Sequence, residues 1–243
     1  MSHQPFRNPT GGNIDRSQPL TFTFDGKVYQ GYSGDTLASA LMANGVKLLA
    51  RSFKYHRPRG LSGYGVEESN VLVQLRTGAR SEPNIPATRV ELYEGLVAES
   101  QNRWPSLHFD IGAVNSKLSG LFPSGFYYKT FMWPAKFWPF YEHAIRHIAG
   151  MGKSPTLEDP DSYAHNYRHC DVLIAGGGPA GLMAALSAGQ SGARVILCDE
   201  NADFGGMLRG RRDTIRGKSG PEWVADTVAQ LAAMENVRLL RRT

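Results

Sequence analysis

Cysteine is scarce in this chain: only two of the 243 residues are cysteine, Cys170 and Cys198. Two cysteines provide neither a disulfide framework nor the paired spacing of a metal site. Such sparse usage is typical of proteins from a reducing compartment. We therefore expect a fold stabilised by apolar packing, and we expect no metal-binding residues.

Long apolar runs are also missing. No segment approaches the roughly 20 consecutive apolar residues that a membrane helix needs. No apolar signal-peptide core lies near the N-terminus either. These two absences predict a soluble, cytoplasmic protein with no membrane partner.

Acidic residues are outnumbered, because 27 Lys and Arg face 22 Asp and Glu and give a formal net charge of +5. The basic residues do not form one long tract, which disfavours nucleic acid as a partner. A hydrophobic content of 41% allows a real core, and the length corresponds to one or two domains.

A glycine-rich turn between two apolar runs is the strongest functional signal present. Residues 172–175 lead into Gly176-x-Gly178-x-x-Gly181, an alanine-rich run follows, and residues 195–198 are apolar again. The order of strand, glycine triplet, helix, strand and acid is typical of a dinucleotide-binding βαβ unit. The alternative is a glycine-rich turn that binds no phosphate.

The residues of this fingerprint have separate roles. Gly176 permits the tight turn, Gly178 lets the backbone approach a pyrophosphate, and Gly181 lets the helix pack closely on the strand. Pro179 suits the first helical turn, where its missing N–H is not needed. The N–H groups of Ala180 and Gly181 are expected to point at the phosphates along the helix dipole.

The acid that binds the ribose hydroxyls is expected roughly 20 residues beyond the glycines. Asp199 fits best, and Glu200 beside it is expected to point the other way. An acid there favours NAD or FAD over NADP, and the fingerprint leaves NAD and FAD both open. Gly205 and Gly206 either bring backbone near the ligand or form a plain turn.

Residues 1–100 predict a small β-grasp module. Two alternating runs flank Asp25-Gly26, which indicates a hairpin. Asp35 is expected to cap a helix that ends at Asn44-Gly45. Hairpin, helix and further strands in this order favour an α+β module; those strands are predicted at residues 54–56, 71–75 and 90–93.

Residues 101–168 predict a connection that packs on a large surface, either this chain's own modules or a partner subunit. Its aromatic content argues against a disordered linker and suits an interface. The aromatic residues are Trp104, Phe122, Phe126, Tyr127, Tyr128, Phe131, Trp133, Phe137, Trp138, Phe140 and Tyr141.

Residues 169–243 predict the N-terminal part of a Rossmann-type dinucleotide-binding domain. A second helix is expected at 221–234 and a third strand from 236 to 240. Because such a domain needs further elements to complete its sheet, we expect the chain to be the N-terminal part of a longer polypeptide.

Two blocks together carry a family resemblance. GDTLASALMANGVKLLARSFKYHRPRG at 34–60 and HCDVLIAGGGPAGLMAALSAGQSGARVILCDENADFGG at 169–206 resemble the α subunits of heterotetrameric sarcosine oxidases. Either block alone is shared with related amine and opine dehydrogenase subunits and with hydrogen cyanide synthase subunits. The pairing of the two blocks distinguishes the sarcosine oxidases.

The resemblance implies an oxidoreductase that converts sarcosine, tetrahydrofolate and O2 to glycine, 5,10-methylenetetrahydrofolate and H2O2. It implies NAD in this subunit, FAD in the β subunit, FMN at the α/β interface, and β, γ and δ partner subunits. Tetrahydrofolate would bind through a later part of the α subunit that this sequence lacks. The resemblance implies NAD contacts at Gly176, Gly178, Ala180, Asp199, Glu200, Asn201 and Met207. The residue pattern itself adds Pro179, Gly181 and Gly206 to the expected cofactor-binding residues.

Relatives of this family carry a [2Fe–2S] cluster in the N-terminal module. Ser62, Glu67 and Asn70 occupy the positions that match the cluster cysteines of plant-type spacing. Because none of these residues is cysteine, we expect no iron–sulfur cluster. This expectation favours a sarcosine oxidase α subunit over a cluster-bearing dehydrogenase.

The remaining polar patterns predict no catalytic residue. The basic block Arg51, Lys54, His56, Arg57 and Arg59 is expected on a solvated strand edge, with a cofactor phosphate or an acidic partner as the alternative. His143 and His147 lack a third metal ligand. The rival functions are a subunit of a related opine or proline dehydrogenase and a non-catalytic assembly subunit.

Overall fold

The computed structural model describes residues 4–121, 125, 133–148, 151–163 and 165–243. The chain divides into two compact units, residues 1–161 and residues 162–243. Among the described residues, the first contains a mixed sheet and three α-helices, and the second contains a parallel sheet and two α-helices.

The first unit is built on a five-stranded sheet of β1 (Asp15–Phe24), β2 (Lys27–Ser33), β5 (Leu72–Leu75), β6 (Glu82–Pro86) and β7 (Leu96–Ser100). The strand order is β2-β1-β7-β5-β6. Strands β1 and β2 are antiparallel, whereas β1 and β7 run parallel. Helix α1 (Leu37–Ala43) packs its buried leucines and alanines into the core of this unit.

The hairpin between β1 and β2 forms where the sequence predicts it. Asp25 and Gly26 both have positive φ, at 48° and 75°, as the tight two-residue turn requires. The alternation of Phe22 and Phe24 with polar neighbours places both rings in the core. Local sequence therefore determines this element.

The start of helix α1 differs from the prediction by one residue. Thr36, not Asp35, is the N-cap, and it forms a capping box with Ser39. The buried Asp35 carboxylate instead binds the Arg7 guanidinium through two hydrogen bonds of 2.9 and 2.7 Å. The ion pair with a distant arginine takes up the carboxylate that would otherwise cap the helix.

Two of the predicted strands are wrong. Residues 53–55 form the turn between two short strands, β3 (Ala50–Arg51) and β4 (Pro58–Arg59), and His56 has a positive φ of 50°. Residues 90–93 contain only an isolated bridge between Thr36 and Glu91. In the first place, the side chains of Arg51 and His56 contact Leu107 and Asp110. In the second, the backbone of Val90 and Leu92 is hydrogen-bonded to residues 35–37. These contacts with other segments override the local β propensity.

The region after β7 contains short helices. They are a 3-10 turn (Ile111–Ala113), α2 (Val114–Lys117), 3-10 turns at Ser119–Leu121 and Ala135–Phe137, and α3 (Trp138–Ile148), which includes His143 and His147. Five of the aromatic residues predicted to pack there, Phe122, Phe126, Tyr127, Tyr128 and Phe131, lie outside the described residues.

The second unit is a three-stranded parallel sheet of order β12-β9-β8. Helices α4 (Pro179–Gln190) and α5 (Gly220–Ala232) connect consecutive strands, and Trp223, Val224 and Leu231 of α5 are buried in its core. The strands are β8 (Val172–Ala175), β9 (Val195–Asp199) and β12 (Val237–Arg241), and a small hairpin pairs β10 (Thr214–Ile215) with β11 (Lys218–Ser219).

Within the part of the chain that the structure describes, no helix is both long enough and apolar enough to cross a membrane.

Candidate dinucleotide site

The glycine fingerprint forms the turn between β8 and α4. Gly176 follows β8 with φ +102° and donates its N–H to the Cys198 carbonyl oxygen at 2.8 Å. Gly178 is the N-cap of α4 and Pro179 occupies the first turn of the helix. The turn is therefore attached to the end of β9 and leads directly into the helix.

The glycines of the triplet are needed for different physical reasons. Gly176 requires the left-handed backbone conformation. A Cβ at Gly178 would meet nothing within 4 Å, whereas a Cβ at Gly181 would overlap the Gly176 carbonyl oxygen. Gly178 thus borders open space, and Gly181 permits the close approach of α4 to the turn.

The N-terminus of α4 can hold an anion. The first intrahelical hydrogen bond runs from the Leu182 N–H to the Gly178 carbonyl oxygen, so the N–H groups of Ala180 and Gly181 precede the helical ladder. The dipole of this 12-residue helix adds partial positive charge at the same end. Together with the open space at Gly178, these groups fit the pyrophosphate of a dinucleotide.

Asp199 lies beside this turn. Its Oδ2 accepts a hydrogen bond from the Gly177 N–H at 2.6 Å, and its Oδ1 accepts from the Asn201 N–H and Nδ2 at 2.8 and 2.7 Å. The residue is buried. The predicted ribose acid is therefore at the carboxyl end of β9, where it also joins the fingerprint turn to the next loop.

The neighbouring site residues are placed less uniformly. Glu200 lies beyond the last residue of β9 and is exposed, whereas Asn201 is half-buried. Gly206, with φ +50°, packs on the fingerprint, because its Cβ would lie 3.2 Å from the Gly178 Cα. Met207 is exposed in the following 3-10 turn.

Sequence reasoning missed two residues that assemble the site. Gly177 donates to Asp199 and accepts the Gly205 N–H at 2.7 Å. A Cβ at Gly177 would overlap the ring of Phe204, which is buried beneath it. The signals were the unbroken run of three glycines and the aromatic residue directly before Gly205.

A different polar centre lies in the first unit, in the loop that follows Gly60. The buried Glu68 carboxylate accepts hydrogen bonds from four backbone N–H groups, those of Ser62, Gly63, Asn70 and Val71, at 2.6, 2.8, 2.6 and 3.3 Å. Burial by itself raises the pKa of Glu68, but the four donors outweigh burial and hold the pKa below its usual 4.5. The loop is thus organised around an internal anion.

The basic block is split between the interior and the surface. Arg51 and His56 are buried, contrary to the solvated strand edge that the sequence predicts, whereas Arg57 and Arg59 are exposed. His56 Nδ1 lies 2.7 Å from Asp110 Oδ2. Within the described ranges, no group of three or more His, Cys, Asp or Glu side chains is arranged to hold a metal ion.

Comparison with known proteins agrees with this division of the chain. Residues 171–234 match the family model described as FAD dependent oxidoreductase. The chain is also 56% identical over 98% of its length to the sarcosine oxidase subunit alpha of Rhizobium meliloti. The chain is a relative of sarcosine oxidase α subunits. It covers 24% of that relative, about a quarter of its length.

Two more distant matches extend the comparison. The sarcosine oxidase subunit alpha of a Corynebacterium species (strain U-96) is 34% identical over 96% of this chain, which covers 20% of that protein. The crystal structure of L-proline dehydrogenase from P. horikoshii superposes with a TM-score of 0.50 at 21% identity, over 94% of this chain and 34% of that one. At that identity the second match shows a shared fold alone.

One comparison overturns a prediction. Residues 17–103 match the family model described as 2Fe-2S iron-sulfur cluster binding domain, which contradicts the expectation of no iron–sulfur cluster. That expectation rested on the absence of cysteine at Ser62, Glu67 and Asn70 and in the rest of the N-terminal module, whereas the family model matches the pattern of residues 17–103 as a whole. Residues 17–103 are therefore similar to a cluster-binding domain family.

The side chains of the matched region differ from the ligands of a [2Fe–2S] cluster. Such clusters are held by cysteine thiolates, and residues 17–103 contain no cysteine. The N–H groups of the loop after Gly60 are directed at Glu68. These side chains do not fit the ligand set of a cluster.

Proposed function

We propose that this chain is the dinucleotide-binding part of an α-type subunit of a sarcosine-oxidising enzyme. One observation supports the proposal. The open space at Gly178, the N-terminus of α4 and the Asp199 carboxylate lie together at the carboxyl ends of two adjacent parallel strands. In open α/β sheets, ligands bind at this end of the strands. The identity with sarcosine oxidase α subunits supports the substrate.

In structural terms, we propose a β-grasp module followed by the start of a Rossmann-type domain. The strand order β12-β9-β8 with helical connections supports the second assignment, because it corresponds to one half of the doubly wound sheet. The order of hairpin, helix and further strands supports the first.

The proposed ligand is a dinucleotide with an ADP half. The N–H groups of Ala180 and Gly181 bind its pyrophosphate, and Asp199 accepts a hydrogen bond from its ribose. When bound, the dinucleotide would either supply redox chemistry or stabilise the folded subunit. The residues of this chain bind and orient it. NAD follows from the resemblance and FAD from the description of the matching family model.

In the full proposal, partner subunits complete the enzyme and the one-carbon unit passes to tetrahydrofolate. The test is to purify the assembled oxidase, release its cofactors by denaturation and identify them by mass spectrometry and visible absorption. Turnover is then measured with sarcosine, L-proline and an opine. A substrate other than sarcosine would reassign the enzyme, and the absence of any dinucleotide would favour a purely assembling subunit.

A substitution at Gly178 tests the site itself. Because a Cβ there meets only open space and its φ is an ordinary −71°, Gly178→Ala preserves the fold but occupies the place of the pyrophosphate. We expect an unchanged unfolding midpoint and at least about tenfold weaker dinucleotide retention. Gly120→Ala, at another open position, is the matched control and retains the ligand. Equal retention in both variants would contradict the proposed pyrophosphate site.

A further inference from the structure

The loop at residues 104–112 in the first unit turns its polar groups inward. The Asp110 side chain is fully buried, and its Oδ1 accepts hydrogen bonds from the Trp104 and Gly112 N–H groups at 3.0 and 3.1 Å. Its Oδ2 lies 2.7 Å from His56 Nδ1. The Arg51 guanidinium donates to the Leu107 carbonyl oxygen, with Nε at 2.9 Å. A buried charged cluster thus anchors this loop.

The same anchoring leaves the large apolar side chains of the loop outside. Trp104 is 65% exposed and Phe109 is 66% exposed. The two ends of the loop are close, since the Ile111 N–H donates to the Trp104 carbonyl oxygen at 2.8 Å. Ile111 and Val114 in the next turns are exposed as well. This inversion of the usual arrangement, with charges inside and aromatic rings outside, marks an interaction surface.

The charged side chains of the two segments around this surface are mainly positive, and one of them, Arg103, is paired with Asp25 and Glu99. Residues 47–60 and 102–120 together carry seven Lys and Arg and a single acid, the buried Asp110. The formal charge of the whole chain is only +5, so the remaining residues are slightly acidic in sum. Arg57 Nε lies 3.4 Å from Ser116 Oγ. This contact places the β3–β4 hairpin against α2, the helix that follows the loop.

We propose that Trp104, Phe109, Ile111 and Val114, with the exposed cations Arg57, Arg59 and Lys117, form a docking surface for another subunit of the same oxidase. The partner would present an apolar patch bordered by Asp and Glu. This inference rests on one part of the proposed function, namely that the chain is a subunit of a larger enzyme. It assigns the contact to one surface of the first unit.

A protein partner accounts for both halves of the surface. Aromatic rings at the centre with arginines around them are typical of protein interfaces. A phosphate group would engage the cations but leave the rings exposed. Complementary charge predicts faster association and sensitivity to salt.

The experiment compares two double variants of the full-length chain, co-expressed with the other subunits of the oxidase. Trp104→Ser with Phe109→Ser removes the apolar centre, and Arg57→Glu with Arg59→Glu reverses the border. The matched control is Lys27→Glu with Val28→Ser, because Lys27 and Val28 are exposed on β2. Assembly is measured by sedimentation at low and high salt, and folding by circular dichroism.

We expect the apolar variant to weaken assembly about 30-fold, which corresponds to a hot-spot loss of about 2 kcal/mol at 1.4 kcal/mol per tenfold. The charge variant should weaken assembly mainly at low salt, and the control should assemble normally. Normal assembly of both variants overturns the proposal. The same holds if both assemble normally and either of them loses a bound cofactor phosphate. If the unaltered chain co-purifies with no other subunit, the proposed function fails first.

Discussion

Replacing Asp199 tests the candidate site most directly, because the structure shows what its carboxylate already holds. Three donors occupy it: the Gly177 N–H, the Asn201 N–H and the Asn201 side-chain amide. A carboxylate offers about four lone-pair sites. About one remains for a ribose hydroxyl, so the residue stabilises the folded turn and can also bind the ligand.

The two effects of Asp199→Ala can be estimated separately. Asn201 is half-buried and can turn to water, but Gly177 is buried, and an unsatisfied buried donor costs about 1–3 kcal/mol. We therefore expect the second unit to lose about 2 kcal/mol of unfolding free energy without ligand. One charge-assisted bond to ribose adds about 1.5–3 kcal/mol, which corresponds to about 10- to 150-fold weaker retention.

The assay combines denaturant unfolding with quantification of bound dinucleotide in the assembled enzyme. Asp199→Asn should be intermediate, because one oxygen still accepts the Gly177 N–H while the new amide opposes the Asn201 donors. Glu200→Ala is the adjacent exposed control and should change little. Normal retention in Asp199→Ala together with loss in Glu200→Ala would show that the ribose assignment is wrong by one residue.

Four further substitutions, one of them followed by titration, test the remaining elements. Gly181→Ala forces α4 away from the turn, because its Cβ would overlap the Gly176 carbonyl oxygen. We expect the unfolding free energy in urea to fall by about 1–3 kcal/mol and the dinucleotide to be lost. A stable variant that retains the dinucleotide would contradict the close packing of α4 on the turn. Glu68→Gln should flatten the pH dependence of the unfolding free energy. The folded pKa of Glu68 lies below its usual 4.5, so the stabilisation by Glu68 is complete above that pH and is lost as the pH falls through the folded pKa. An unchanged acid-unfolding curve would argue against this role. Asp110→Ala leaves buried donors without their acceptor. It should lower the unfolding free energy of the first unit by about 3–5 kcal/mol, as measured by thermal unfolding. A loss below about 1 kcal/mol, roughly the value of a surface pair, would show that Asp110 does not anchor the loop. Hydrogen bonds from Arg194 lower the pKa of the Asp171 carboxyl to about 2, which a carbon-detected NMR titration checks, with Arg194→Gln expected to return it towards 3.8.

The sequence predicted correctly those features that depend on neighbouring residues. The β1–β2 hairpin follows from Asp25-Gly26 between two alternating runs, and Pro179 begins α4 as expected. Gly192, with φ +88°, follows the end of that helix. In these places the backbone angles that glycine and proline favour, together with the period of the apolar residues, define the element.

The errors occur where distant residues compete for a side chain. Asp35 was expected to cap α1, but it binds Arg7, 28 residues away. The basic block was read as an alternating strand, but Arg51 and His56 turn inward to a loop more than 50 residues further along the chain. Charge pairing across such separations has no periodic signal in a single sequence.

The sequence alone determined the nucleotide fingerprint and the order of its elements, because glycine spacing and apolar periodicity are local properties of the chain. Only the tertiary structure decided how Asp199 is held and why the aromatic rings of the loop at 104–112 face outward. The bond between the Gly177 N–H and the Asp199 carboxylate joins residues 22 positions apart, and the contact of His56 with Asp110 joins residues 54 positions apart. Such contacts exist only after the strands and loops have packed together, since packing sets which charges are buried and must find partners.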